Sequence, residues 1–188
     1  MKIKIEREKI DRLSPEDAIP LLLKIRRLIL GRKKPDGFTR LIFTINLTGV
    51  IILAVWNALS YLAVLFSDFI KANKGFSVNA IIRRNGRNLG FEGQDFLEAI
   101  TTYYFLNIFV WLIALFGLIL MYRKVKFYAF IYFSSLGVHF ALMFFMIGLQ
   151  YFIEDVTWFD KIIYATLIIS TMLHTALIKR ETKVELYN

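Results

Sequence analysis

The chain of 188 residues is 57% hydrophobic and 21% charged, and its formal net charge is +9. The charged residues are concentrated in blocks between long uncharged segments. This pattern excludes a single water-soluble globule, because each of its surface helices would need a polar face. Cysteine is absent, so disulfide bonds and thiolate metal sites are excluded as well.

Residues 1–40 form a basic arm. The sequence at 14–17 (SPED) is typical of a helix start, because it combines a hydroxyl cap, an early proline and acids at the positive end of the helix dipole. We predict an amphipathic helix from Pro15 to Leu30 that ends at Gly31. Such a helix lies on an anionic membrane surface or, alternatively, docks on a protein partner. The basic residues expected to make this contact are Lys24, Arg26, Arg27, Arg32, Lys33 and Lys34.

Four long segments without charge follow the arm. A helix rises about 1.5 Å per residue and the hydrocarbon core of a bilayer is about 30 Å thick, so each segment is long enough, or nearly long enough, to cross it. We therefore predict an all-α, polytopic integral membrane protein, with a transmembrane domain over 41–178 and a short tail at 179–188. The four predicted transmembrane helices cover about 41–67, 99–122, 127–153 and 160–178.

The loop at 68–98 separates the first two spans. Residues 77–84 alternate between apolar and polar side chains, Asn85-Gly86 is the preferred two-residue hairpin turn, and 87–91 returns. The sequence therefore predicts a small hairpin. It would need support from the spans or from a partner, because an isolated hairpin of this size is only marginally stable.

Lys and Arg are distributed unequally between the two sides that four spans define. Residues 1–40, 123–126 and 179–183 carry eighteen of them, whereas the opposite side carries six together with seven acids. Basic loops are retained on the cytoplasmic side, so we expect both termini to lie in the cytoplasm. The richness in Lys, Ile, Phe and Asn is typical of an AT-rich genome, so we expect the membrane to be the cytoplasmic (inner) membrane of a bacterium. The net charge then reflects topology and attraction to anionic lipid head groups rather than nucleic-acid binding.

Polar and small residues within the spans are expected to mediate helix packing. Two asparagines of the first span share one face, because eleven residues make about three helical turns. Small residues of the third span recur at roughly heptad spacing, which lets another backbone approach closely. The predicted packing residues are Asn46, Asn57, Ser134, Gly137, Ala141 and Gly148.

A polar stripe on the third span has His139 near its middle. An ionisable residue at this depth is a candidate proton relay, cofactor ligand or ligand contact. The alternative, which we favour, is a neutral imidazole bonded to a hydroxyl of a neighbouring helix. The depths of His139 and His174 differ by roughly 12 Å, which disfavours shared ligation of one haem. The candidate intramembrane polar site comprises His139, Ser135, Gln150, His174 and Ser170.

The sequence contains no recognisable catalytic, metal, cofactor or nucleotide motif. We therefore expect a non-catalytic subunit or accessory protein of a larger membrane complex, without a cofactor, that acts through helix packing and its basic arm. Its expected partners are the anionic bilayer and either other membrane subunits or further copies of itself. One alternative is an oligomeric pore or transporter lined by the His139 stripe. A second alternative is a membrane electron-transfer or enzyme subunit that uses His139 or His174.

Overall fold

The computed structural model describes residues 15–31 and 35–187, and all regular elements in these ranges are helical. A π-helical turn at Met143–Ile147 lies between the sixth and seventh helices. The α-helices in chain order are α1 Pro15–Leu30, α2 Gly37–Leu65, α3 Ser67–Lys74, α4 Val78–Asn88, α5 Gly93–Tyr122, α6 Tyr128–Leu142, α7 Leu149–Glu154 and α8 Trp158–Tyr187.

Four of these elements are long and apolar enough to cross a membrane. They comprise α2, α5, α6 with its π-helical turn, and the part of α8 that ends at Ile178. The predicted class, an all-α polytopic integral membrane protein with four transmembrane helices, is confirmed. The first span begins earlier than its uncharged segment, because Asp36 caps α2 by accepting a hydrogen bond of 2.8 Å from the backbone N–H of Thr39.

Among the spans, α5 contacts α2 and α6, and α8 contacts the same two helices, while α4 packs against α5. Two glycines permit close approaches between spans. A Cβ added to Gly117 would lie 3.1 Å from the backbone of Tyr132 on α6, and one added to Gly49 would lie 2.8 Å from the side chain of Leu167 on α8. Small residues at such positions let membrane helices pack backbone to backbone.

The predicted hairpin at 77–91 is wrong, because this segment contains helix α4. Ser77 caps the helix by accepting a hydrogen bond of 3.3 Å from the backbone N–H of Ala80. Gly86 continues the helix and lies against α5, where an added Cβ would be 2.4 Å from the Cβ of Phe96. The glycine therefore permits helix packing instead of a turn, and this tertiary contact overrides the local turn preference.

The third span is interrupted before its predicted end at residue 153. After the π-helical turn, Gly148 has φ +96° and ψ 161°, a conformation that favours glycine. The chain then changes direction into α7. Gly148, predicted as a packing residue, thus marks the break, and a Cβ added to it would meet no atom within 4 Å.

The other small residues of the third span lie on the surface of the bundle. Ser134 and Gly137 are exposed, Ala141 is half-buried, and a Cβ added to Gly137 would have no neighbour within 4 Å. Within residues 15–31 and 35–187, no helix covers this strip. It therefore faces the surroundings of the bundle.

Helix α1 has the predicted bounds and ends at Gly31, where φ is +84°. At its C-terminal end, Leu30 packs against the core and Gly31 approaches the side chain of Arg123. Among the basic residues predicted to contact anionic lipid, Lys24, Arg26 and Arg27 are exposed, whereas Arg32, Lys33 and Lys34 lie outside the described residues. Their contact with lipid or a partner stays a prediction.

Candidate functional site

The bundle has two ends. We call the end that contains residues 35–37, the 123–127 connection and Ile178 the basic end, and the end that contains residues 66–92 and 148–157 the loop end. Polar side chains inside the bundle form separate networks along its length, and a cavity opens at the loop end.

Asn46 of α2 connects three spans in the interior. Its amide nitrogen donates to Ser170 Oγ at 2.8 Å and to the Ile42 carbonyl at 2.9 Å. Its amide oxygen accepts from the Tyr132 hydroxyl at 2.9 Å and from Thr171 Oγ1 at 3.2 Å. The partners lie on α6 and α8, so one amide fixes the mutual positions of α2, α6 and α8.

A second network lies at the basic end around His174. Thr39 Oγ1 donates to Asp36 Oδ1 at 2.8 Å, so it accepts from His174 Nε2–H, 3.0 Å away. The other ring nitrogen, Nδ1, lies 2.7 Å from the Tyr128 hydroxyl. Asp36 also forms an ion pair of 2.8 Å with Lys124, and the hydrogen bond from this ammonium lowers the pKa of Asp36 well below its usual range. His174 thus joins α8 to α2 and α6.

His139 lies deeper in the bundle and is hydrogen-bonded at both ring nitrogens. Asn107 donates its amide hydrogen to the Tyr103 carbonyl at 2.9 Å, so its Oδ1 accepts from His139 Nδ1–H at 2.6 Å. The other nitrogen, Nε2, then accepts from the Tyr164 hydroxyl at 2.9 Å. These bonds hold a neutral imidazole in one tautomer between α5 and α8, and they occupy both positions at which it could bind a metal.

The residues predicted as one intramembrane polar site are separated in the structure. His139, Ser170 and His174 belong to the three different networks described above. Ser135 donates to a backbone carbonyl of its own helix at 2.7 Å. Gln150 is exposed on α7, beyond the break in the third span.

The cavity at the loop end has a volume of about 310 Å³ and reaches from the loop surface to the His139 network. Asp155 and Asp160 are the charged residues of its lining, and both are acidic. Burial, with a further contribution from the neighbouring Glu154, raises the pKa of Asp155. The aromatic walls of the cavity are formed by Trp56, Phe96, Tyr103, Tyr104, Trp111, Tyr151 and Tyr164.

Trp111, which also lines this cavity, has an indole nitrogen without a partner. The side chain is 2% exposed, and its Nε1–H has no acceptor among the described residues. Leaving a buried donor unpaired costs about 1–3 kcal/mol. Asn57 also lines the cavity, but its amide donates to the Tyr104 carbonyl at 2.8 Å.

Sequence reasoning located His139 but missed the residues around it. Asn107 carries the same signal as Asn46, an amide within an apolar span, and that signal could have identified it. Trp111 and Tyr164 carry no such signal, because an aromatic residue in a span is most often part of the core. Comparisons of the chain with protein family models, with curated proteins and with solved structures find no match.

Proposed function

We propose that this integral membrane protein is a non-catalytic accessory subunit of a larger membrane assembly. The observation that carries the proposal is the uncovered strip on α6, formed by Ser134, Gly137 and Ala141. Phe130 and Phe145 bound this strip at its two ends and are 69% and 91% exposed. A flat surface between two large side chains fits a helix of another membrane protein, because small residues allow close backbone contact.

The hydrogen bonds of the two histidines support the non-catalytic part of the proposal. Both nitrogens of His139 and of His174 are engaged within the bundle. A relay or ligand role requires a nitrogen that can exchange its partner. The histidines therefore serve best as connections between helices.

We expect the association to depend on the strip. The variant Gly137→Leu should lose its heterologous partners on purification in mild detergent, because the new side chain fills the space that a partner helix needs. The chain itself should fold, since a Cβ at this position meets no atom within 4 Å. Ala176→Leu is the matched control, because Ala176 is exposed on α8, away from the strip.

Native mass spectrometry of the purified chain checks this prediction. Stoichiometric partners that are present in the wild type and in Ala176→Leu, but lost in Gly137→Leu, support the accessory subunit. A wild-type chain without partners contradicts it. A closed ring of identical copies would favour the alternative of an oligomeric pore.

The proposed orientation places the basic end in the cytoplasm of a bacterial cell, with the loop end outside. It is supported by the excess of Lys and Arg at the basic end and by the acids near the loop end. Reporter fusions after Lys124 and Arg180 should therefore be active as cytoplasmic reporters, and a reporter inserted near Asn85 should be active outside. A cytoplasmic signal from the Asn85 insertion would contradict this orientation.

The proposed surface for anionic lipid is the exposed side of α1 with Lys24, Arg26 and Arg27. Each basic residue near an anionic leaflet contributes about 1 kcal/mol of attraction. In the proposed orientation, α1 lies on the cytoplasmic side of the membrane, next to the leaflet in which anionic lipids are concentrated.

A further inference from the structure

We propose that the cavity at the loop end binds a small ammonium compound that also carries a hydrogen-bond-accepting oxygen. This inference goes beyond the accessory role, since it concerns a different surface of the protein. The ammonium group comes either from a free solute or from the head group of a lipid.

The charge of the cavity selects a cation. Asp155 and Asp160 line it, and neither forms an ion pair within the part of the chain that the structure describes. The nearest lysine along the chain, Lys161, is directed elsewhere, because its ammonium donates to the Ile153 carbonyl at 3.0 Å and lies 5.3 Å from the Trp158 ring. The two carboxylates therefore present a negative potential that no lining cation offsets.

The arginines of α4 also lie off the lining. Arg83 and Arg87 pack beside Gly93, where α5 begins, and neither lines the cavity. An acidic ligand would therefore find no lining cation to compensate its charge, whereas an ammonium ion finds two carboxylates.

The walls favour an organic cation over a hydrated metal ion. Tyr103, Tyr104, Tyr151 and Tyr164 line the cavity together with two tryptophans. Aromatic faces attract ammonium groups within about 6 Å of the ring centre and replace part of their hydration. A volume of about 310 Å³ is at the lower end of the range of small-molecule sites.

The buried donor adds the second element of recognition. Trp111 lines the cavity and its buried indole N–H is unpaired, so a ligand oxygen that reaches this donor when the neighbouring side chains move would remove the cost of the orphaned donor. A compound with an ammonium at one end and an oxygen at the other satisfies both the carboxylates and the indole.

A lateral groove beside the cavity allows the ammonium group to belong to a lipid. The groove is lined by apolar residues of α2 and by Phe159, and it shares Trp56, Thr157 and Asp160 with the cavity. A ligand with its head group in the cavity could therefore extend an apolar chain along the groove into the bilayer.

Choline is the probe that tests the proposal, because it carries a quaternary ammonium and one hydroxyl oxygen. Its neutral isostere, 3,3-dimethyl-1-butanol, has the same shape without the charge. Binding of radiolabelled choline to the full chain in nanodiscs, measured by scintillation proximity, should be displaced by unlabelled choline. The neutral isostere should compete at least about tenfold more weakly, a difference of about 1.4 kcal/mol.

Three variants test whether the carboxylate charge and the Trp111 indole N–H contribute to binding. Asp160→Asn should weaken choline about tenfold, because it removes a charge and keeps the shape. Glu98→Gln is the matched control, since Glu98 is exposed and does not line the cavity. It should change the affinity for choline by less than about threefold, because solvent and salt screen its charge. Trp111→Phe should weaken choline but leave tetramethylammonium, which has no oxygen, nearly unchanged.

The outcomes separate the parts of the proposal. Absence of displaceable choline binding in the folded wild type overturns it, and so does equal competition by the neutral isostere. Equal loss of choline affinity in Asp160→Asn and Glu98→Gln overturns the assignment of the charge to the cavity rim. If Trp111→Phe weakens tetramethylammonium as much as choline, the role of the indole donor is overturned.

A last comparison distinguishes the two sources of the ammonium group. Dodecyltrimethylammonium should compete at least about tenfold better than tetramethylammonium if the natural ligand is a lipid, because its chain occupies the groove. Similar competition by the two supports a free solute. Both results uphold the ammonium site.

Discussion

Replacing Asn46 by leucine is expected to lower the free energy of unfolding of the bundle by roughly 2–4 kcal/mol. The change removes an amide that bonds Ser170, Tyr132 and Thr171 across two helix interfaces. Leucine has a similar volume, so the loss comes mainly from hydroxyl groups left without partners in a medium that contains no water. Unfolding by a denaturing detergent, followed by circular dichroism, measures the difference.

Thr44→Leu is the matched control for this change. Thr44 is exposed on the same helix, and its hydroxyl bonds only to the Arg40 carbonyl of that helix. This variant should unfold within about 0.5 kcal/mol of the wild type, as surface substitutions usually do. Equal stability of Asn46→Leu and the wild type would contradict the view that this network holds the helices in register.

The positions of the spans could be predicted, because the lipid bilayer that surrounds them restricts which sequences can cross it. A helix that crosses lipid must be long and uncharged, and this requirement depends on no neighbouring element. The face that Asn46 and Asn57 share follows from the helical period alone. The identity of the partner helices does not follow from it, because it depends on how the four spans are arranged relative to one another.

The segment around Gly86 illustrates why the loop prediction was wrong. Asn85-Gly86 favours a hairpin turn when only local geometry is considered. In the structure the glycine lies against Phe96 of α5. This contact stabilises a helix at this position, because only a small residue allows the two helices to come so close. Local signals of this kind are weak, and a tertiary contact, here with a residue ten positions along the chain, can reverse them.

The cavity could not be predicted, because its lining comes from six separate helices. Trp56, Trp111, Tyr151 and Tyr164 are distant in the sequence and resemble core residues when each is considered alone. The break at Gly148, which directs α7 and Tyr151 across the loop end, has no sequence signal that distinguishes it from a packing glycine.

The same reasoning applies to His139, for which a hydroxyl partner on a neighbouring helix was predicted, but neither the residue that supplies it nor the second partner. Its hydroxyl partner is Tyr164 on α8, and its second partner is Asn107 on α5. We expect His139→Leu to lower the free energy of unfolding by roughly 2–4 kcal/mol, because it leaves the Asn107 oxygen and the Tyr164 hydroxyl unpaired in the interior. A proton relay at this position would not require that both of these bonds be kept.

His139→Gln separates these roles, because a glutamine amide can donate to Asn107 and accept from Tyr164 but cannot titrate. We expect it to retain more than half of the stability that His139→Leu loses, since it can preserve both hydrogen bonds of the neutral imidazole. Denaturant unfolding of the three proteins measures this difference, and equal losses in the two variants would contradict the hydrogen-bonding account. Proton flux into vesicles reconstituted with each protein provides the second measurement. If the wild type dissipates a proton gradient and a stable His139→Gln does not, the histidine is a relay; we expect no such difference, because both ring nitrogens are already committed to neighbouring helices.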